Sequence, residues 1–208
     1  MRRLVALALV PLAGCFLFGR RGAHCPTDRE VVLATQDDVA DFTGCQRAVG
    51  VAIRTGATID VAPLHDLVEI TGDLAIGATV GIDALTIDVL RVGGAVRATN
   101  NASLRGLFLP LLEHAGRVEV DANTQLATVS LPRLADVAES IVITDNRALA
   151  LVDMPALVSV GNELVIAGQP KLERVGAARL RRAGAVRVEA DPRLTSAAID
   201  KLRAAAQP

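Results

Sequence analysis

The stretch VEVDANTQLATVSLPRLADV at residues 118–137 returns, with one residue of slack, as IVITDNRALALVDMPALVSV at 141–160. Laid against itself at 22 to 23 residues, the chain repeats an apolar-x-apolar triplet seven times. The copies are Val51-Ala52-Ile53, Leu74-Ala75-Ile76, Val96-Arg97-Ala98, Val118-Glu119-Val120, Ile141-Val142-Ile143, Leu164-Val165-Ile166 and Val186-Arg187-Val188. A fixed period of this length marks a stacked-repeat architecture, because one copy is too small to bury its own apolar side. The chain is committed to coils laid on coils.

Side chains alternate along a strand, so the outer two residues of each triplet point inward and the middle one points out. Stacked at sheet spacing, the triplets hydrogen-bond into a parallel sheet over one continuous core. After the triplet comes a polar corner, Asn101, Asn123, Asn146, Gln169 and Asp191, with Leu104, Leu126, Leu149, Leu172 and Leu194 three residues on. An amide both donates and accepts, which suits a bend whose backbone groups have no ladder partner. These residues are assigned to the scaffold and not to catalysis. Val129, Leu131 and Leu134, then Val152, Met154 and Leu157, supply the remaining inward positions of two coils. Pro110, Pro132 and Pro155 stay in step and fix φ at a second bend. At the end, LTSAAIDKLRAAAQ places good helix formers behind Thr195 or Ser196 as N-cap, predicting a helix that covers the last coil's open edge. The expected fold is a parallel β-solenoid of about seven coils with a C-terminal capping helix.

Two residues separate the corner Asn from the next Leu in Asn123-Thr124-Gln125-Leu126 and Asn146-Arg147-Ala148-Leu149, where ordinary leucine-rich repeats place one. The opening CPTDREVVLATQDDVADFTGCQRAVGVAIRTG sets Cys25 and Cys45 around an early strand and short helix. In both respects residues 25–195 resemble the receptor L domain, the leucine-rich-repeat-like solenoid of growth-factor receptor ectodomains and some microbial surface proteins. The resemblance implies a right-handed solenoid over 25–208 that recognises protein or glycan without catalysis. No ligand residue of that family maps onto this chain. Gln169 and Asp191 depart from Asn, and Ala177-Ala178 from the apolar-Pro pair, so the last coils are expected to be less regular.

The first residues, MRRLVALALVPLAGCFLFGRR, run from two arginines through an apolar stretch to small residues, the layout of a secretory signal. From Leu4 to Phe18 the run is about fifteen residues, short of the roughly 18 to 20 that span a bilayer. Leu12-Ala13-Gly14-Cys15 resembles the lipobox of bacterial lipoproteins, which implies cleavage after residue 14, a lipid on the Cys15 thiol and a linker over 15–24. An uncleaved anchor and ordinary secretion are the alternatives. Phe16, not Asp, follows the cysteine, which points the anchor to the outer membrane. With Cys15 used, Cys25 and Cys45 remain as an even pair in an oxidising compartment and are expected to bond, stabilising by about 3 kcal/mol; two free buried thiols are the other reading.

Net charge is -1, with 22 basic and 23 acidic residues, which excludes the electrostatic footprint of a nucleic-acid binder. The chain has no Trp, no Tyr and only four Phe, which disfavours stacking on bases or sugar rings. His24, His65 and His114 stand in no ligand spacing, and no nucleophile elbow, Walker loop or dinucleotide fingerprint occurs; Gly93-Gly94 marks a bend. Asp121, Asp145 and Asp191 recur near corners but too sparsely for a calcium ladder. No cofactor, metal or catalytic residue is assigned. Arg179, Arg181, Arg182, Arg187 and Arg193 read as a solvated basic face, with an acidic partner or lipid headgroups as the alternative. The binding face, if one exists, is the outward column Ala52, Ala75, Arg97, Glu119, Val142, Val165, Arg187, with Arg97 and Arg187 as its anchors. The functional expectation is a lipid-anchored, non-catalytic binding or structural module of the cell envelope, contacting the membrane through its lipid and an envelope or extracellular protein through its sheet. The alternative is a cell-wall polysaccharide hydrolase or lyase on a parallel β-helix, which requires carboxylates converging on one face.

Overall fold

The computed structural model describes residues 25–189 and 191–204. The expected signal segment 1–14 and the expected lipidated linker 15–24, with Cys15 and His24, lie outside the described residues. The chain forms a parallel β-solenoid of about seven turns.

All seven triplets stack in the anticipated register. Val51 pairs with Leu74, Leu74 with Val96, Val96 with Val118, Val118 with Ile141, Ile141 with Leu164 and Leu164 with Val186. An eighth rung, Glu30–Leu33, precedes them, with Leu33 over Ile53. The inward residues Ile53, Ile76, Val120, Ile143 and Ile166 are buried in one column. Each rung meets the next at about 4.8 Å, so apolar atoms of successive coils stay in contact with no room for water.

Two further strips complete the coils, one of them over five coils only. Ala84–Thr86, Gly106–Phe108, Thr128–Ser130, Leu151–Asp153 and Arg174–Gly176 form a second parallel sheet that contributes Leu85, Leu107, Val129 and Val152 to the core. A lateral strip runs beside the triplets. It is built from Arg47–Ala48, Glu69–Ile70, Asp136–Val137 and the first residues of the long strands Arg91–Thr99, His114–Asp121, Ser159–Ala167 and Arg182–Glu189. The triplet periodicity did not expose this strip. Where it turns into the triplet sheet, glycine is forced by crowding: a Cβ on Gly116 would lie 2.4 Å from the Gly93 carbonyl oxygen, and one on Gly161 2.0 Å from that of Ala138.

The corner amides form a ladder inside the molecule. Asn101, Asn123 and Asn146 are fully buried, and each carboxamide oxygen accepts from the backbone N–H one coil earlier, at Thr79, Asn101 and Asn123. Their Nδ2 groups donate to the carbonyls of Ile76, Ala98 and Val120. The residue before each amide turns through the left-handed region, at Asn100, Ala122, Asp145 and Gly168, and Ala78 does the same before Thr79 one coil earlier. The expected irregularity of the later coils appears here. Gln169 Nε2 reaches the Ile143 carbonyl, but its Oε1 is buried with no hydrogen-bond partner among the described residues, as is Asp191 Oδ2. Asp191 Oδ1 still accepts from the Gln169 N–H at 2.7 Å, as the earlier amides do, but Gln169 Oε1 takes no bond from Asn146 and the acid has no N–H to give a carbonyl, so the ladder is interrupted at these two positions.

At the proline bends, Leu112, Leu134 and Leu157 donate back to Leu109, Leu131 and Met154, so each Pro holds the second position of a turn that its fixed φ favours. Helix α1 (Gln36–Phe42) starts at Thr35, which exchanges hydrogen bonds with Asp38 in a capping box, and buries Val39 and Phe42 under the first coil. Helix α2 (Ser196–Arg203) starts at Thr195 and packs Leu202 and Ile199 on the last coil. Cys25 and Cys45 form a disulfide with Cα atoms 5.5 Å apart.

Candidate binding face

Period two makes the front of the triplet sheet three columns wide: the middle residue of each triplet, and the residues two before and two after it. Asp73, Ala75 and Gly77 form one such row, Arg117, Glu119 and Asp121 another. The sequence reading used only the middle column. Of that column, Arg97, Glu119, Val142 and Val165 are part-exposed and Arg187 is exposed. Ala52 departs from the expectation: it is fully buried, a single methyl between Val32 and Ala75 on the neighbouring rungs.

The charged residues of the face are tied across rungs. Asp73 accepts a hydrogen bond from the Arg97 guanidinium and a 2.7 Å bond from the Ala95 amide. Burial pushes the Asp73 carboxyl up, but those two donors together outweigh it and hold the group below the usual carboxylate range. Arg97 Nε also lies 3.6 Å from Glu119, and so does the buried Nε of Arg117, which makes this second contact an ion pair without a hydrogen bond. Arg187 Nη2 donates a hydrogen bond to Glu163 Oε2 across the last pair of rungs. Thus Arg97 and Glu119, both in the expected outward column, belong to one ion-paired array, and the residues sequence reading missed, Asp73, Arg117 and Glu163, each sit one position before a triplet. Extending the alternation one step would have found them.

Val142 and Val165 are adjacent in register, giving a small apolar patch between the two charged groups. The deeper feature lies elsewhere. A depression of about 450 Å³ opens at the N-terminal half of the face, lined by Glu30, Arg54, Asp73, Ala75, Gly77 and Arg97. Its floor is low because Ala75 and Gly77 carry almost no side chain. Glu30 and Arg54 stand exposed at its edge and take part in no ion pair among the described residues. Away from the front, His65 lies 3.7 Å from Asp66 and His114 2.7 Å from Asp136, and Arg193 pairs with Glu173. The expected basic cluster therefore divides: Arg187 and Arg193 are paired, while Arg179, Arg181 and Arg182 are exposed without an ion pair among the described residues.

Among the described residues no group of three or more His, Cys, Asp or Glu is placed to hold a metal ion, and no helix is long and apolar enough to cross a membrane. Comparison with protein-family models, curated proteins and solved structures returned no match.

Proposed function

We propose that the chain is a non-catalytic binding or structural module of the bacterial cell envelope, of receptor L-domain type, tethered by a lipid on Cys15 to the outer membrane. Its working surface is the front of the triplet sheet, and its partner is an envelope or extracellular protein. The observation that supports this reading is the depression between Glu30, Arg54 and Arg97. Small residues form its floor, and its rim offers an acid and a base that are not used inside the molecule. Arginine at the edge of a concave, partly apolar surface is the side chain most able to anchor a protein contact.

The hydrolase reading requires two carboxylates with opposed roles, one protonated to donate to the leaving group. Asp73 and Glu119 do converge, but on Arg97. With Asp73 held below the usual range it is an acceptor at neutral pH and cannot supply that proton. The geometry favours binding.

Crosslinking and mass spectrometry on intact cells carrying the tagged full chain test the proposal. The expected result is a specific envelope or extracellular protein whose yield falls when Arg54 and Arg97 are replaced by Ala. No crosslinked partner would favour a spacer. Cys15→Ser is expected to move the protein out of the membrane fraction; unchanged fractionation would overturn the tether.

A further inference from the structure

In a solenoid, order along the chain is order along the axis, so charge that is uneven in sequence is uneven in space. The first coil with α1, residues 25–46, carries five acidic residues against Arg29, a net charge of -4. The last coil with its cap, residues 177–204, carries seven basic residues against three acidic ones, a net charge of +4. One of those three acids, Asp191, is buried. Asp28, Glu30, Asp37 and Asp41 at one end, and Arg179, Arg181, Arg182 and Lys201 at the other, are exposed. None of these eight takes part in an ion pair among the described residues.

Eight stacked rungs separate the two ends by roughly 34 Å at sheet spacing. That is more than three screening lengths at 0.1 M salt, where the Debye length is about 10 Å. One end therefore cannot neutralise the other within a molecule. Each end also presents a recess in which its own sign of charge predominates, three acids against Arg29 at the first and Arg174 with Lys201 at the second. The first, about 300 Å³, lies between Glu30, Val32, Asp38, Asp41 and Phe42; the second, about 280 Å³, lies between Arg174, Ala178, Lys201 and Leu202. The terminal strands Glu30–Leu33 and Arg182–Glu189 each pair on one side only.

We propose that the solenoid associates head to tail with a second copy of itself, the acidic first coil of one molecule against the basic last coil and cap of the next. Equal and opposite ends on one chain are matched by another copy. An anionic bilayer or polymer would meet only the basic end and leave the acidic one unanswered. Because α1 packs against the first strand and α2 against the last, the strands do not continue from copy to copy. The contact is between charged, recessed caps, so it is weak and salt-labile. It is also heterologous, since neither end matches itself, and it propagates without closing. Glu30 borders both surfaces, but the variants used below leave Glu30, Arg54 and Arg97 unchanged, so this proposal and the front-face reading fail separately.

Sedimentation velocity of the full chain in a density-matched non-ionic detergent tests it, at about 20 mM and about 0.5 M NaCl. At low salt the mass is expected to rise above that of the monomer with concentration, and at high salt to return to it, self-association weakening at least about tenfold. Two variants sharpen the test, D28K/D41K and R181E/R182E. Each alone is expected to remain monomeric at low salt with an unchanged circular dichroism spectrum. Mixed, they are expected to form a dimer that grows no further, because one keeps a working basic end and the other a working acidic end. A parent chain that stays monomeric at low salt, or a mixture that associates no more than its components, overturns the proposal. So does a monomer that binds phosphatidylglycerol vesicles in a manner abolished by R181E/R182E, which would assign the basic end to lipid.

Discussion

Replacing Asn123 with Ala tests whether the amide ladder holds the coils together. Asn123 Oδ1 accepts from the Asn101 backbone N–H at 3.1 Å and from Asn101 Nδ2 at 2.8 Å; its own Nδ2 donates to the Ala98 carbonyl at 2.8 Å and to Asn146 Oδ1 at 2.9 Å. Alanine removes all four. Asn146 Oδ1 keeps the Asn123 backbone N–H and Asn101 Nδ2 keeps the Ile76 carbonyl, so those groups stay satisfied. The Asn101 N–H loses its acceptor and the Ala98 carbonyl this donor, inside a dry corner. At about 1–3 kcal/mol for each buried polar group deprived of its partner, the expected loss is about 2–6 kcal/mol. That is a large share of the roughly 5–15 kcal/mol that holds a domain folded. Urea unfolding followed by far-UV circular dichroism is the suitable assay, because the chain has no Trp or Tyr to report by fluorescence. Thr124→Ala is the control: the next residue is exposed, with one 3.4 Å bond to the Ala102 carbonyl, and should cost under about 0.5 kcal/mol. A loss below about 1 kcal/mol for Asn123→Ala, or one equal to the control, would refute the ladder as a stabilising element.

Asp191→Asn is expected to stabilise the protein at neutral pH. Burial raises the Asp191 carboxyl pKa and the Gln169 amide only partly opposes it. Folding therefore disfavours the charged form: the penalty is absent below the unfolded value of about 3.9, grows as pH rises toward the folded value and is complete above it. Parent and variant should differ in thermal midpoint at pH 7 and converge near pH 3; a constant difference would sink this account. Leu126→Arg puts a charge into a fully buried column and should abolish cooperative unfolding, whereas Glu119→Lys, on a part-exposed face beside Arg97 and Arg117, should cost no more than about 1–2 kcal/mol. Ala122→Gly relieves a left-handed residue at the place where a later coil already carries Gly168, and should raise stability by about 1 kcal/mol in the same urea assay.

What the sequence determined by itself was the stacking and its register. A two-residue alternation inside a 22 to 23 residue period assigns inside and outside at every rung, so the core column, the corner amides, the proline turns, the closing helix and even the segregation of charge along the axis follow from local pattern alone. The disulfide joining Cys25 to Cys45 was legible from cysteine parity together with the expectation of export. The lateral strip was not, although its inward residues Ala48, Ile70, Val92, Ala115, Val137, Val160 and Ala183 keep the same 22 to 23 residue period, because one apolar residue per coil among polar neighbours is a weaker signal than a triplet. Nor was the grouping of Asp73, Arg97, Glu119 and Arg117, or the burial of Ala52. Those depend on how far side chains on neighbouring rungs reach toward each other. Alternation says which way a side chain points, but only the assembled stack sets what stands beside it, and so the depth of a depression or the pairing of a charge is a property of the tertiary structure.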